Sequence, residues 1–209
     1  MRQKTIAVIG GLDYDITMFA PRIPHSGESL PTTQYSEGPG GKGGNTAIAT
    51  YRSCHNKPTK PRSPNQNTES PQSANHLEIN VKIVAAIGDD LWGTRLLTNM
   101  KENNIDTASL LTLAATQSSL CVIIVETASG ENRCIFHPGA TSHWQKLHFL
   151  SPQDLGGGTR PDLVVAQMEI EIEVVEQMIE TAGAAGIEFV LNAAPAKRIR
   201  KGLWKWVTH

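Results

Sequence analysis

The sequence has little cysteine, no long apolar run and no charge of one sign to spare. Three cysteines, Cys54, Cys121 and Cys134, are an odd and widely spaced set with no CxxC pair. That excludes a disulfide framework and a cysteine-rich metal knuckle, and it implies reduced thiols. The longest apolar stretches, such as "TIAVIGG" near the start, run to about six residues, too short for a membrane span or the core of a secretion signal. Nineteen basic residues face twenty acidic ones, for a net charge of −1, with no basic block. Binding to nucleic acid or to an anionic membrane is therefore not expected. What is left is a soluble protein of the cytoplasm, or of the nucleus, whose 209 residues suffice for one sizeable domain.

What is present is an alternation of strand-like and helix-like segments. "TIAVIGG" (5–11), "VKIVAAIG" (81–88), "PDLVVAQ" (161–167) and "IEFVLN" (187–192) read as strands buried on both faces. "GGNTAIATYRS" opens like a helix with Asn45 in a capping position. "DDLWGTRLLTNMKENNI" and "EIEVVEQMIETAGAAG" carry helical spacing, and Gly186 stops the second. Strands alternating with helices predict a doubly wound, mainly parallel α/β sheet. The Pro-punctuated stretch 13–39 and the pair "SLCVIIVE" and "NRCIFHPGA" around "TASGEN" do not fit that layer, and predict a small second β-sheet. From Cys54 to Asn80 four prolines sit among Asn, Gln, Ser and Lys with almost nothing to bury, the composition of a disordered insertion. The chain closes on the apolar "LWKWVTH" with no capping element after it. This suggests a C-terminally incomplete domain whose fourth parallel strand would leave an unpaired edge.

The densest signal is "EGPGGKGGN" (37–45), five glycines around one lysine. Gly38, Gly40 and Gly43 satisfy GxGxxG, yet the first parallel strand ends well before them, at Gly11, and the region about 20 residues on, where a dinucleotide fingerprint needs an acid, is the Pro/Asn-rich insertion. A nicotinamide-dependent oxidoreductase is the weakest reading. Lys42 is followed by glycine rather than Ser or Thr, which excludes a P-loop, and Asn45 stands where a protein-kinase glycine loop needs valine. A plain glycine turn into a helix cap leaves Lys42 without a role.

Read as a set, the motifs resemble those of the ribokinase family of sugar kinases. "GGKGGN" resembles its GGKGxN loop, "VIGGLDYD" its opening strand and sugar-binding acids, and "SGESL" its PGET turn. "AAIGDDLWG", "GENRCIFHPGAT", "AQMEI" and "LNAAPA" follow in the family's order, between Thr5 and Ala196. The resemblance implies a ribokinase-like α/β domain over residues 1–209 with a small β lid from about 13–39 and 116–138. It implies ATP-dependent phosphorylation of D-ribose at its terminal hydroxyl, with magnesium and a monovalent cation (K+) in a complete member, and a homodimer formed through the lid. Carried over residue by residue, Asp15 matches an aspartate on the ribose hydroxyls, and Asp13 falls where the family usually has asparagine. Gly41, Lys42 and Asn45 match further sugar contacts, Glu169 the sugar-binding glutamate, and Asn192 an asparagine near the nucleotide phosphates. The family's catalytic aspartate lies in a DTxGAGD segment, and no such segment occurs in these 209 residues. The expectation is therefore a chain that holds the sugar-binding part and is inactive alone. The alternative is a non-catalytic remnant that binds a pentose or dimerises.

Overall fold

The computed structural model describes residues 3–55 and 78–209. Strands β1 (Lys4–Ile9), β4 (Ile79–Gly88), β5 (Asp106–Leu113), β8 (Leu163–Gln167) and β9 (Glu188–Asn192) form one parallel sheet in the order β5-β4-β1-β8-β9. Strands β2 (Asp13–Ala20), β3 (Gln34–Gly40), β6 (Ser119–Glu126) and β7 (Asn132–His137) form a separate sheet in the order β3-β2-β6-β7. In the second sheet β2 pairs antiparallel with β3 and parallel with β6, and β6 pairs antiparallel with β7.

Alternation along the central strands explains the layers. Val8 faces one side of β1 and Ile9 the other. The first side joins Val81, Ile83, Ala85 and Ile87 to Ala47 of α1 (Lys42–His55) and to Leu96 and Met100 of α2 (Leu91–Glu102). The opposite side joins Val84, Ala86, Val164 and Phe189 to Val175, Met178 and Ile179 of α3 (Ile172–Ala184). Both faces of the parallel strands are buried, which is why those segments read as continuous apolar runs. Asp90 caps α2 by accepting from the Gly93 N–H at 2.7 Å. Gly186, at φ +63, follows the end of α3 in the left-handed region where a helix terminates.

Five details differ from the sequence reading. The parallel sheet has a fifth strand, β5, at its edge. Its mix of buried, half-buried and exposed residues gives no clean apolar run. The outer edge of β9 is not bare: the Thr208 N–H donates to the Phe189 carbonyl at 2.7 Å and the Leu191 N–H to that of His209 at 2.8 Å. Gly38 and Gly40 lie inside β3, not in the loop. Asn45 is not a cap, because α1 begins at Lys42 and the Asn45 N–H already donates to the Gly41 carbonyl. The stretch read as an insertion overlaps the end of α1 and the start of β4, and residues 56–77 lie outside the described residues.

The strand order reverses between β1 and β8: successive strands from β1 run toward β4 and β5, and β9 lies on the far side of β8. Clefts form at such a switch point, beyond the carboxyl ends of the strands. Here α1 starts against that cleft. The Gly43 N–H donates to the Gly11 carbonyl at 3.0 Å, so the helix start lies directly on the chain leaving β1. A Cβ on Gly43 would meet Gly11 O at 2.6 Å and Gly10 C at 2.7 Å, both backbone atoms that cannot turn aside. Gly38 in the same motif has nothing within 4 Å. Gly43→Ala is therefore expected to destabilise by about 2–3 kcal/mol or more through overpacking, while Gly38→Ala stays within about 0.5 kcal/mol of the parent. Urea unfolding of both variants measures this, and equal midpoints would show that the α1–β1 approach is not tight.

Candidate functional site

A cavity of about 610 Å³ opens at the switch point, roofed by the second sheet. Six of the seven residues singled out from the sequence line it: Asp13, Asp15, Gly41, Lys42, Asn45 and Glu169. Asn192 does not; it is the exposed last residue of β9, beside Gln167 in the ladder.

Each side chain arrives by a separate route. β2 leaves β1 after a short turn, and its period-2 alternation puts Asp13 and Asp15 on one face. Gly40 pairs with Asp13 across the strands and lies against the Asp15 carboxylate, where any larger residue would collide with that group. Gly41 then turns the chain into α1 at φ +83, a conformation suited to glycine, with Asp13 N and Gly11 O too close to admit a side chain. Lys42 and Asn45 project from the first turn of the helix.

Glu169 sits in the turn between β8 and α3 and reaches α1 rather than its own helix. Its Oε2 accepts from the Lys42 main-chain N–H at 3.0 Å, and its Oε1 accepts from Lys42 Nζ at 2.7 Å. One carboxylate thus supplies the helix cap that the local sequence lacks and neutralises the cavity lysine. This leaves the amide of Asn45 available to the cavity.

Three carboxylates and one paired lysine make the site electrostatically tense. Burial pushes Asp13 up to about 6; the nearby Glu169 and Asp15 add to this, and Ser119 and Lys42 offset part of it. Asp15 is raised as well, by burial and by Glu169. Lys42 is raised chiefly by its hydrogen bond to Glu169. On the roof, burial and the neighbouring Cys134 push the Cys121 thiol up to about 12. Cys121, Ile123, Cys134 and Phe136 line the roof, and Glu171 and Lys197 complete the wall. Cys134 and Phe136 lie within the "GENRCIFHPGAT" match without an assigned role, and Cys121, Ile123, Glu171 and Lys197 carried no motif. The ladder registers Cys121 with Phe136, Ile123 with Cys134 and Asp15 with Cys121, which is what gathers them on one face. Among the described residues, no group of three or more His, Cys, Asp or Glu is placed to hold a metal ion. No helix among them is long and apolar enough to cross a membrane.

The set offers acceptors (Asp13, Asp15), a donor (Lys42), a group that does both (Asn45) and apolar surface (Ile123, Phe136). It suits a small polyhydroxylated ligand with C–H faces.

Comparison with known proteins places this arrangement. The pfkB family carbohydrate kinase profile matches residues 3–208. A ribokinase of Bacillus subtilis is 27% identical over 198 residues, covering 95% of this chain and 58% of the relative. A deoxyribokinase of Salmonella typhi is 29% identical over 197 residues, covering 92% and 54%. The structure of Arabidopsis thaliana ribokinase complexed with ribose and ATP superposes with a TM-score of 0.74 at 18% identity, covering 99% of this chain and 59% of that one, a likeness of fold. The chain spans little more than half the length of these relatives.

Removing the Glu169 carboxylate costs both the cap and the lysine partner. Glu169→Ala is expected to lower stability by about 2–3 kcal/mol, since it leaves a half-buried ammonium and a helix N–H unpaired. Glu171→Ala, at an exposed position that makes no side-chain cap bond, is expected within about 0.5 kcal/mol of the parent. Denaturant midpoints decide; indistinguishable variants would deny Glu169 its bridging role.

Proposed function

We propose, from the premise that the chain belongs to the pfkB family of carbohydrate kinases, that its cavity binds D-ribose. In this reading it forms the sugar-holding part of an enzyme that transfers a phosphoryl group from ATP to the sugar's terminal hydroxyl. The observation that carries the reading is the convergence of Asp15, Lys42, Asn45 and Glu169 on one cavity, although they come from β2, the first turn of α1 and the turn after β8. Asp15 accepts from vicinal hydroxyls, as carboxylates facing sugars do, while Lys42 and Asn45 hold ring and hydroxyl oxygens. The second sheet serves as the lid. Its inner face closes over the sugar. Its outer face carries Met18, Tyr35 and Ile135, large apolar residues left 37%, 67% and 70% exposed, which supports a homodimer joined through that face.

ATP would approach along the carboxyl ends of β8 and β9, where Asn192 stands ready for a phosphate oxygen. The chemistry assigned to this chain is sugar binding and placement, since the cavity gathers the sugar-facing residues. Phosphoryl transfer depends on a base and on charge stabilisation at the transferred group. No DTxGAGD segment supplies them within these 209 residues. The chain alone, in the cytoplasm, binds the pentose without turning it over.

Calorimetric titration with ribose and with 2-deoxyribose tests the reading. Ribose is expected to bind, and Asp15→Ala to weaken it at least tenfold, the scale of one lost hydrogen bond to a charged group. Equal affinity for the two sugars would keep a pentose site and remove the ribose assignment. Unchanged affinity in Asp15→Ala would place the ligand elsewhere. Ribose 5-phosphate formed from ATP by the chain alone would overturn the binding-only assignment.

A further inference from the structure

Ser119 stands between two acceptors. Its Oγ lies 2.5 Å from Asp13 Oδ1 and 3.1 Å from the main-chain carbonyl oxygen of His137. A hydroxyl carries one proton. If Asp13 is ionised, that proton goes to the carboxylate and Ser119 has nothing to give the carbonyl. Water cannot readily settle the competition, because Asp13 is 4% exposed and Ser119 fully buried. A proton on Asp13 Oδ1 resolves it. The carboxylic acid donates to Ser119 Oγ, and Ser119 donates to the His137 carbonyl.

The charges facing Asp13 point the same way. Asp15 stands on its own strand, Glu169 comes from the turn after β8, Lys42 from α1, and Cys121 from β6 with its thiol held protonated. Lys42 is already engaged at 2.7 Å by Glu169. Asp13 therefore has two carboxylates for neighbours and no cation of its own.

We propose that Asp13 works as a neutral carboxylic acid, donating through Oδ1 into a Ser119–His137 carbonyl relay and offering its other oxygen as an uncharged acceptor to a pentose hydroxyl. The relay stands on the geometry alone; the acceptor role rests on the pentose reading of the cavity. A sugar that seals the cavity desolvates the carboxyl further. At a pH where the free protein holds Asp13 as carboxylate, binding takes up one proton from the buffer, which ends on Oδ1. The sign for stability follows. The folded-state value, about 6, lies above the ordinary aspartate value. Asp13 thus favours folding below about pH 4, and that contribution is lost as pH rises through about 6.

The test has two arms on the full chain. Carbon-13 carboxyl shifts are followed from pH 3 to 8, the Asp13 signal being the one lost in Asp13→Asn. A midpoint about two units above the ordinary aspartate value of about 3.9 is expected. The His137 carbonyl carbon-13 shift is expected to carry a step at the same midpoint that is lost in Asp13→Asn and in Ser119→Ala, because Ser119 is free to donate to that carbonyl only when Asp13 is protonated. A midpoint near 4, or a His137 carbonyl shift without that step, overturns the relay whether or not any sugar binds. In the second arm, ribose is titrated in two buffers of different ionisation enthalpy. Uptake approaching one proton at pH 7.5, with affinity falling toward tenfold per pH unit above the midpoint, is expected, and both effects should vanish in Asp13→Asn. Ribose binding without proton uptake overturns the acceptor role. A raised midpoint with no ribose bound at any pH removes the pentose reading, and the acceptor role with it, while leaving the relay.

Discussion

The site depends on one carboxylate that holds, twice over, a residue 127 positions earlier in the chain. Glu169 binds the first N–H of α1 and the ammonium of Lys42 together. α1 has no capping side chain of its own, and its second N–H is taken by the Gly11 carbonyl. The turn after β8, the turn after β1 and the start of α1 are thereby tied into one knot at the switch point of the sheet. Charge-assisted bonds of this kind are worth more than neutral ones, and the half-enclosed setting keeps them from being diluted by water. With the knot in place, the cavity floor has a fixed shape before any ligand arrives.

The knot also sets the electrostatic problem that the rest of the site must live with. Lys42 is matched to Glu169, so the two aspartates of β2 have only the remainder of its charge to offset their burial. Asp15, half-buried, retains access to the cavity. Asp13 lines the cavity but is almost shut off from bulk water, and its position relative to Ser119 is dictated by the parallel pairing of β2 with β6, which starts at Asp13 opposite Ser119. A slip of one residue in that register would swap faces along β2 and leave both aspartates outside the cavity. Strand register, usually a matter of core packing, here decides which hydroxyl meets the buried acid.

Much of this was legible in the sequence, and the failures have physical causes. The four buried parallel strands, the helices and the second sheet follow from apolar runs, helical spacing and punctuation by Pro and Gly. β5 escaped because an edge strand with one side in solvent carries neither a continuous apolar run nor clean alternation. Asn45 looked like a cap because caps are read from local sequence, while the actual cap comes from Glu169 across the fold. The gathering of Asp13, Asp15, Gly41, Lys42, Asn45 and Glu169 was reachable through the motif set. Ser119 and Cys121 were not, because an ordinary strand such as "SLCVIIVE" declares its partners only through pairing register.

The second sheet shows how one strand can serve two ends. Alternation along β2 sends Asp13 and Asp15 to the cavity and Tyr14 and Ile16 to the other face. Tyr14 is buried there, stacked on Trp92 of α2 with ring centroids 4.3 Å apart, and its hydroxyl accepts from Arg95 at 2.6 Å. Arg95 lies 5.1 Å from the centre of the Trp92 ring and donates to Glu37 of β3 at 2.8 Å. This cluster fastens the root of the second sheet to α2, next to the aspartates. Away from it the anchoring ends: Met18 is 37% exposed, and every residue of β7 is exposed. The sheet is thus firm where its side chains must meet the floor of the cavity with ångström accuracy, and loosely covered where it only roofs the space beyond. Placing the carboxylates next to the anchor gives the ligand-facing groups the rigidity of the α/β core, although they belong to a different sheet.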